Sequence, residues 1–356
     1  MLPSPTQLKL QLKPQARFEV IDVAQKIARE FGDLLNAYRK SLYCSFHTTA
    51  GYLEQSLCAS LKYSQDHVSP FIELFQKLFP PEANYRHDQL QLRTELSEAQ
   101  RQVEPKNADS HLIFISSGMK NCVTYDNKPD MPVYFIDLDG VNGDRCRCRQ
   151  TTVLAFNEEK AIHKVKMAIP VSRHPIDSIN LIDPRYEFFE QLKEMVRRLE
   201  IVHGRIDIAL DASEKHAGLT VNEYETLLMQ HDLAEVLNNP LKFVAIRGKH
   251  ALAAPQLIPE KTLNYAKYDL VHIFNLLMDK FGVSETVIEK FLSIFIRLPA
   301  SHYLSMKRQI SLLVSEDERE GTGKIVFGKY QSPILVQWKH ADKQTRYLEV
   351  SISKFA

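Results

Sequence analysis

Several short runs in this chain carry residues able to do chemistry. The apolar segment Val133-Tyr134-Phe135-Ile136 runs into Asp137-Leu138-Asp139-Gly140. In that pattern a first carboxylate can attack a phosphoryl group while a second acts as acid or base beside a magnesium ion. Cys146 and Cys148 alternate with Arg145, Arg147 and Arg149, whose charge could lower their thiol pKa values. Two cysteines are too few for a closed zinc site, so a basic exposed hairpin is the simpler reading. On a strand, Tyr43, Ser45 and His47 share the face opposite Cys44 and Phe46, which argues against a Cys-His nucleophilic pair and leaves Cys44 to the core. His87 is followed by Asp88, and His231 by Asp232; the second pair lies in a helical pattern, where surface or capping roles are expected, as they are for His216.

These residues have to be positioned by a mixture of strands and helices. Residues 8–12 alternate at the strand period, and 21–37 repeat apolar positions at Ala24, Ile27, Ala28, Phe31, Leu34 and Leu35. A strand over 43–49 precedes an amphipathic helix over 68–79, which stops at Pro80-Pro81. From 111 to 169 the pattern predicts mostly short strands (112–115, 133–136, 152–156, 165–169), with turns at 126–130 and 142–144. After Pro170 the order restarts. A strand over 176–182 precedes a helix opened by Pro184, with Tyr186, Phe189, Leu192, Met195, Val196 and Leu199 on its apolar face. A strand over 206–210, helices over 221–237 and 270–296, a hairpin turn at Gly321 to Lys324, and strands at 325–327, 334–338 and 347–352 follow.

Composition narrows the function classes. The chain has 356 residues, 44% of them apolar, and balances 45 Lys plus Arg against 44 Asp plus Glu. That length allows one large domain or two of about 150–200 residues. A net charge of +1 provides no global field for nucleic acid, and a balanced surface suits a small-molecule site. No apolar run nears the roughly 18 residues a membrane crossing needs, and the start lacks a signal-peptide pattern, so a cytoplasmic protein with no membrane partner is expected. Five cysteines at irregular spacings suggest reduced thiols rather than a disulfide framework.

The two halves also match each other. Tyr85 in Asn84-Tyr85-Arg86-His87-Asp88 corresponds to Tyr265 in Asn264-Tyr265-Ala266-Lys267-Tyr268-Asp269, an offset of 180 residues (265 − 85). His111 corresponds to His302, an offset of 191 (302 − 111), and the segment 133–141 to 324–332. Offsets that rise in order are what insertions in a repeat produce. The expectation is an α+β fold of two tandem units, 1–172 and 173–356, each a sandwich of mixed or antiparallel sheets with helices packed outside.

The residues of those units resemble the YjbQ family, whose members carry the name secondary thiamine-phosphate synthase. Its hallmarks are His-Thr-Ser/Thr-Ala, an Asn-Glu shortly after, Tyr-x-His-Asp, Pro-x-His and Gly-x-Trp-Gln. In the first half His47-Thr48-Thr49-Ala50, Tyr85-Arg86-His87-Asp88 and His111 match. In the second, Asn222-Glu223, Pro299-Ala300-Ser301-His302 and Gly328-Lys329-Tyr330-Gln331 resemble the Asn-Glu, Pro-x-His and Gly-x-Trp-Gln segments. Counted back from Asn222, the first histidine becomes Glu214, and the second becomes Lys267; in the first half the Asn-Glu segment reads Glu54-Gln55-Ser56, and Asp137 to Gly140 stand for Gly-x-Trp-Gln. Each half keeps what the other has lost, which suggests either one composite site or drift of a redundant half.

The resemblance implies a metal-dependent enzyme acting on a small molecule that bears phosphate or pyrophosphate, in a homo-oligomer of trimeric type. His47, His87 and His111 would be neutral imidazole ligands of a divalent metal, zinc above others. Glu223 or Asp88 would be the general base, and Asn222 and Gln331 would orient the substrate. Two alternatives stand beside it. One is a non-catalytic binding or scaffold protein on the same fold. The other is a haloacid-dehalogenase-type phosphatase using Asp137 and Asp139, against which stands the absence of regular strand-helix alternation before and after the motif.

Overall fold

The computed structural model describes residues 2–93, 96–223, 232, 234–235, 306–317 and 321–356. The expected helix at 270–296, the greater part of that at 221–237, and the positions of Lys267 and His302 lie outside the described residues. The chain forms two compact units, one of Met1–Leu57, Gly118–Glu225 and Met306–Ala356, the other of Cys58–Ser117 and Thr226–Ser305. These units do not follow the expected division at 172/173.

Among the described residues the strands all lie in the first unit, in two sets. The first set comprises β1 (Thr6–Leu12), β2 (Glu19–Asp22), β3 (Lys40–Ser45), β4 (Ala50–Tyr52), β5 (Cys122–Asp126), β6 (Tyr134–Asp137), the short hairpin β7 (Val141–Asn142) and β8 (Arg145–Cys146), and β9 (Arg149–Phe156). The second comprises β10 (Glu159–Pro170), β11 (Asp177–Asn180), β12 (Gly204–Leu210), β13 (Ala217–Asn222), β14 (Gln309–Glu316), β15 (Gly323–Val326), β16 (Ser332–Gln337) and β17 (Thr345–Phe355). The larger sheets run β1-β9-β3-β5 and β10-β17-β12-β14-β15, and the smaller ones β2-β6-β4 and β11-β16-β13. Apart from β15 and the β7-β8 hairpin, the second set repeats the strand order of the first.

The registers repeat as well. Ala50 and Glu19 both lie opposite Asp137, just as Ala217 and Asp177 both lie opposite Gln337. Position 137 therefore corresponds to 337, not to Gly328, which corrects the expectation that Asp137 to Gly140 replace the Gly-x-Trp-Gln segment. The point where the first set gives way to the second also moves. Residues 159–170 pair along their length with β17, so the changeover between the two strand sets falls at Asn157-Glu158 rather than at 172/173.

Local sequence explains these elements. Along β12 buried and half-buried residues alternate, as the two-residue strand period requires when one face is covered. Helix α1 (Val23–Phe31) starts where the Asp22 side chain accepts the Gln25 N–H and ends at Gly32, whose φ of 61° a β-carbon would disfavour. The larger sheets share a small core in which Leu42, Cys44, Cys122, Leu154 and Phe156 meet Leu313 and Phe355. The Phe156 and Phe355 rings stack there at 3.8 Å. Burial of aromatic area on this scale contributes a few kcal/mol, of order 1.5–3 per large side chain.

Helix α2 (Gln55–Ser60) leads from the first unit into the second, which contains α3 (Gln65–Leu78), α4 (Glu98–Arg101) and α5 (Ala108–Ser116). Helix α5 overturns the expected strand at 112–115. All nine of its residues are buried. A short apolar run enclosed on every side carries no periodicity, so Leu112-Ile113-Phe114-Ile115 reads equally as strand or helix. In the first unit α6 (Phe188–Arg198) forms the expected amphipathic helix, burying Phe188, Phe189, Leu192 and Val196.

Candidate functional site

The second unit brings His87 and His111 together. After α3 the chain turns sharply through Glu82 and Asn84, both with positive φ near 60°. The turn is anchored by Tyr85, whose buried hydroxyl donates to the Pro80 carbonyl at 2.9 Å. The next two backbone N–H groups, of Arg86 and His87, donate to the two oxygens of Asp232 at 3.0 and 2.9 Å. A carboxylate that takes one N–H on each oxygen fixes the direction of the peptide, and with it the His87 side chain.

Asp88 orients the rest. Its Oδ1 lies 3.2 Å from His87 Nδ1 and accepts the Ala108 N–H at 3.0 Å, at the start of the helix that carries His111. One carboxylate thus joins the first imidazole to the element bearing the second. Both rings are fully buried, with centroids 5.1 Å apart and planes tilted by 58°. With the Nδ1 proton donated to Asp88, the His87 lone pair sits on Nε2, an atom that is buried and has no hydrogen-bond partner among the described residues. An imidazole oriented by a carboxylate with its other nitrogen left open is the arrangement of a metal-ligating histidine. The donor set therefore fits a borderline metal such as zinc. Burial pushes the Asp232 carboxyl up to about 6, against the opposing pull of the His87 and Arg86 N–H groups.

Asp232 was expected only at a surface or cap. Nothing in its local pattern distinguishes it, because its role is to receive N–H groups from a loop 145 residues earlier in the chain. An acidic residue set in an apolar helical pattern was the one available signal.

His47, Asn222, Glu223 and Gln331 belong to the first unit. His47 departs from its expected role as a ligand. Its Nε2 accepts the Gln150 N–H at 2.8 Å, which leaves the ring proton on Nδ1 and no lone pair for a metal. Burial, with Arg149 and Arg147 nearby, lowers its pKa from 6.5 to about 3. Glu214 stands at the corresponding place in the second strand set, and its Oε1 accepts the Tyr347 N–H at 2.9 Å. In both sets this position is an acceptor for a strand N–H.

Gln331 and Asn222 grip the turn that carries His47. The Gln331 amide donates to the carbonyls of Ser45 and His47 at 3.0 and 2.9 Å while its oxygen accepts the Gly328 N–H at 2.9 Å. Asn222 donates to the Thr48 carbonyl at 3.3 Å and accepts the Glu223 N–H at 2.7 Å. Both amides, expected to orient substrate, instead orient backbone. Glu223 follows directly after β13.

The phosphatase alternative fails on geometry. Asp137 ends β6, the centre of an antiparallel three-stranded sheet, whereas that chemistry needs a doubly wound parallel one. Its carboxylate is gripped at both oxygens by Arg149, at 2.7 Å from Nε and 2.6 Å from Nη2. Asp139 is fully buried and pairs with Arg147 at 3.0 Å. Neither group is available as a nucleophile. Arg147 lies between Cys146 and Cys148, whose thiols are exposed as expected, while Arg149 is buried at the start of β9.

No family model and no curated protein sequence matches the chain. Solved structures do. A YbjQ-like protein of unknown function from Sulfolobus solfataricus P2 is similar over 55% of this chain and 99% of its own, with 14% identity and a TM-score of 0.29. A yjbq/upf0047 family protein from Clostridium acetobutylicum is similar over 53% of this chain and 98% of its own, with 12% identity and a TM-score of 0.27. A hypothetical protein from Aeropyrum pernix K1 is similar over 53% of this chain and 96% of its own, with 11% identity and a TM-score of 0.28. Among the described residues no helix is long and apolar enough to cross a membrane.

Proposed function

We propose that His87 and His111 are ligands of a divalent metal, zinc above others, in an enzyme acting on a small molecule that bears phosphate or pyrophosphate. The observation that carries the metal assignment is the buried His87 Nε2, left with the ring's lone pair by the Nδ1 contact with Asp88 and lying beside a second buried imidazole. Such a metal, when bound, supplies Lewis-acid polarisation of a phosphoryl oxygen. Asp88 holds the His87 tautomer and Asp232 holds its loop, so neither is free to move a proton in the reaction. The general base is then Glu223, an assignment supported by the Asn-Glu match in the sequence alone. The phosphate-bearing substrate, with thiamine phosphate as the first product to assay, rests likewise on the YjbQ resemblance.

We also read the two strand sets as tandem YjbQ-like units, a reading supported by their repeated order and register. On this reading the chain carries a pseudo-symmetric pair of units and assembles as a trimer-like homo-oligomer.

A second reading, a non-catalytic binding protein on the same fold, is favoured by one set of observations: His47, Asn222 and Gln331 all serve the backbone. Elemental analysis separates the two. Stoichiometric divalent metal in the purified protein, lost in His87→Ala and in His111→Ala but kept in His47→Ala, supports the metal centre. Absence of metal from the wild type, including after incubation with zinc, defeats it. Glu223→Gln should keep the metal and lose turnover.

A further inference from the structure

Cys44 and Cys122 face each other across two neighbouring strands. Their positions are opposed in the antiparallel pair β3-β5. The adjoining Ser45 N–H donates to the Asn121 carbonyl at 2.7 Å, so Ser45 and Asn121 form a hydrogen-bonded rung and Cys44 and Cys122 the non-hydrogen-bonded rung beside it. On such rungs the α-carbons approach most closely, at about 4.5 Å, which lies within the span a disulfide bridges. The two sulfurs are 2.9 Å apart, with Cys122 Sγ donating to Cys44 Sγ. The corresponding rung of the second set is Ala209 opposite Gln309, so the feature is particular to the first.

We propose that Cys44 and Cys122 are a dithiol that closes into a cross-strand disulfide by exchange with a small-molecule disulfide of the glutathione type. Cys122 is the entry point, because β5 is the edge strand of its sheet and Cys122 is slightly exposed while Cys44 is fully enclosed. When the edge frays, the Cys122 thiolate attacks one sulfur of the small disulfide and expels a thiolate, leaving a mixed disulfide. Cys44 then attacks the Cys122 sulfur and expels the second small thiol. Two protein thiols are oxidised, one disulfide is reduced to two thiols, and the two protons pass to those thiols. Burial pushes the Cys44 thiol well above its ordinary value, so in the closed sheet Cys44 rests as a thiol. The exposed Cys146 and Cys148 have no opposing partner on neighbouring strands that satisfies this geometry; in the β7-β8 hairpin Cys146 lies opposite Val141.

The test uses the full chain carrying Cys146→Ser and Cys148→Ser, incubated with oxidised glutathione. Titration in denaturant should show the thiol count fall from three to one, since five cysteines less two leave Cys44, Cys58 and Cys122. The intact mass should fall by about 2 Da, with a proteolytic peptide joining the segments of Cys44 and Cys122, and dithiothreitol should reverse both. Adding Cys122→Ser, a change at the sheet edge, should abolish the linked peptide. Three thiols remaining after oxidation, or a link that involves Cys58, overturns the proposal.

Discussion

His47 and Glu214 hold corresponding places in the two strand sets, and the same backbone demand is met there in two ways. Each accepts a strand N–H, from Gln150 and from Tyr347. The nearby arginine differs in its partner. In the first set Arg149 is gripped by Asp137 on β6, and the residue at 47 is a neutral imidazole. In the second set Arg346 pairs with Glu214 at 2.7 Å, and the residue corresponding to Asp137 is the neutral Gln337. Each buried arginine has one carboxylate, which sits on a strand in the first set and in the turn before the neighbouring strand in the second. What looked in the sequence like a histidine ligand lost from the second half is, at this position, an exchange of buried charge.

The comparison can be broken first at the arginine. Asp137→Asn leaves Arg149 buried without its carboxylate and should cost about 3–5 kcal/mol of stability, measured by urea denaturation. A loss below about 1 kcal/mol would mean that Arg149 finds other partners and that the charge exchange is not needed. Adding His47→Glu to Asp137→Gln installs the second set's arrangement in the first. The double variant should recover at least half the stability lost by Asp137→Gln alone, and a purely additive result would show that the two positions are uncoupled.

Gln331→Ala removes the amide that holds the Ser45 and His47 carbonyls, and about 1–3 kcal/mol should be lost while metal content stays unchanged. A fall in bound metal with intact fold would return Gln331 to the site.

The last effect is a pH dependence. The His47 pKa falls from 6.5 to about 3 on folding, so between these values the unfolded chain binds a proton that the folded chain refuses. This contribution to stability is fully present above pH 6.5 and is lost as the pH falls toward 3. His47→Gln should flatten that acid limb in denaturation midpoints measured across the range. An unchanged slope would show that the ring is protonated in the fold, in conflict with its role as acceptor.

The strands at 8–12, 133–136 and 152–156 were visible in the sequence through alternation and apolar runs, and the β12 and α6 patterns are strong on their own. His87, Asp88 and His111 were visible because their neighbours match a known pattern. The role of His47 was not, since the lone-pair use that decides it comes from a strand more than a hundred residues away. Asp232 was hidden for the same reason, and α5 because full enclosure erases periodicity. What sequence loses here is the identity of the hydrogen-bond partner, which is a property of tertiary placement.

The grip of Gln331 and Asn222 on the turn at residues 45–48 has a consequence for how this chain can be divided. Cutting at Asn157-Glu158 would separate two sets with matching topology, yet each fragment would lack groups that the other supplies. The first would keep its turn but not the amides that fasten it, and its Phe156 would lose Phe355. The two sets are therefore not interchangeable parts, and neither should behave as a soluble autonomous module when expressed by itself.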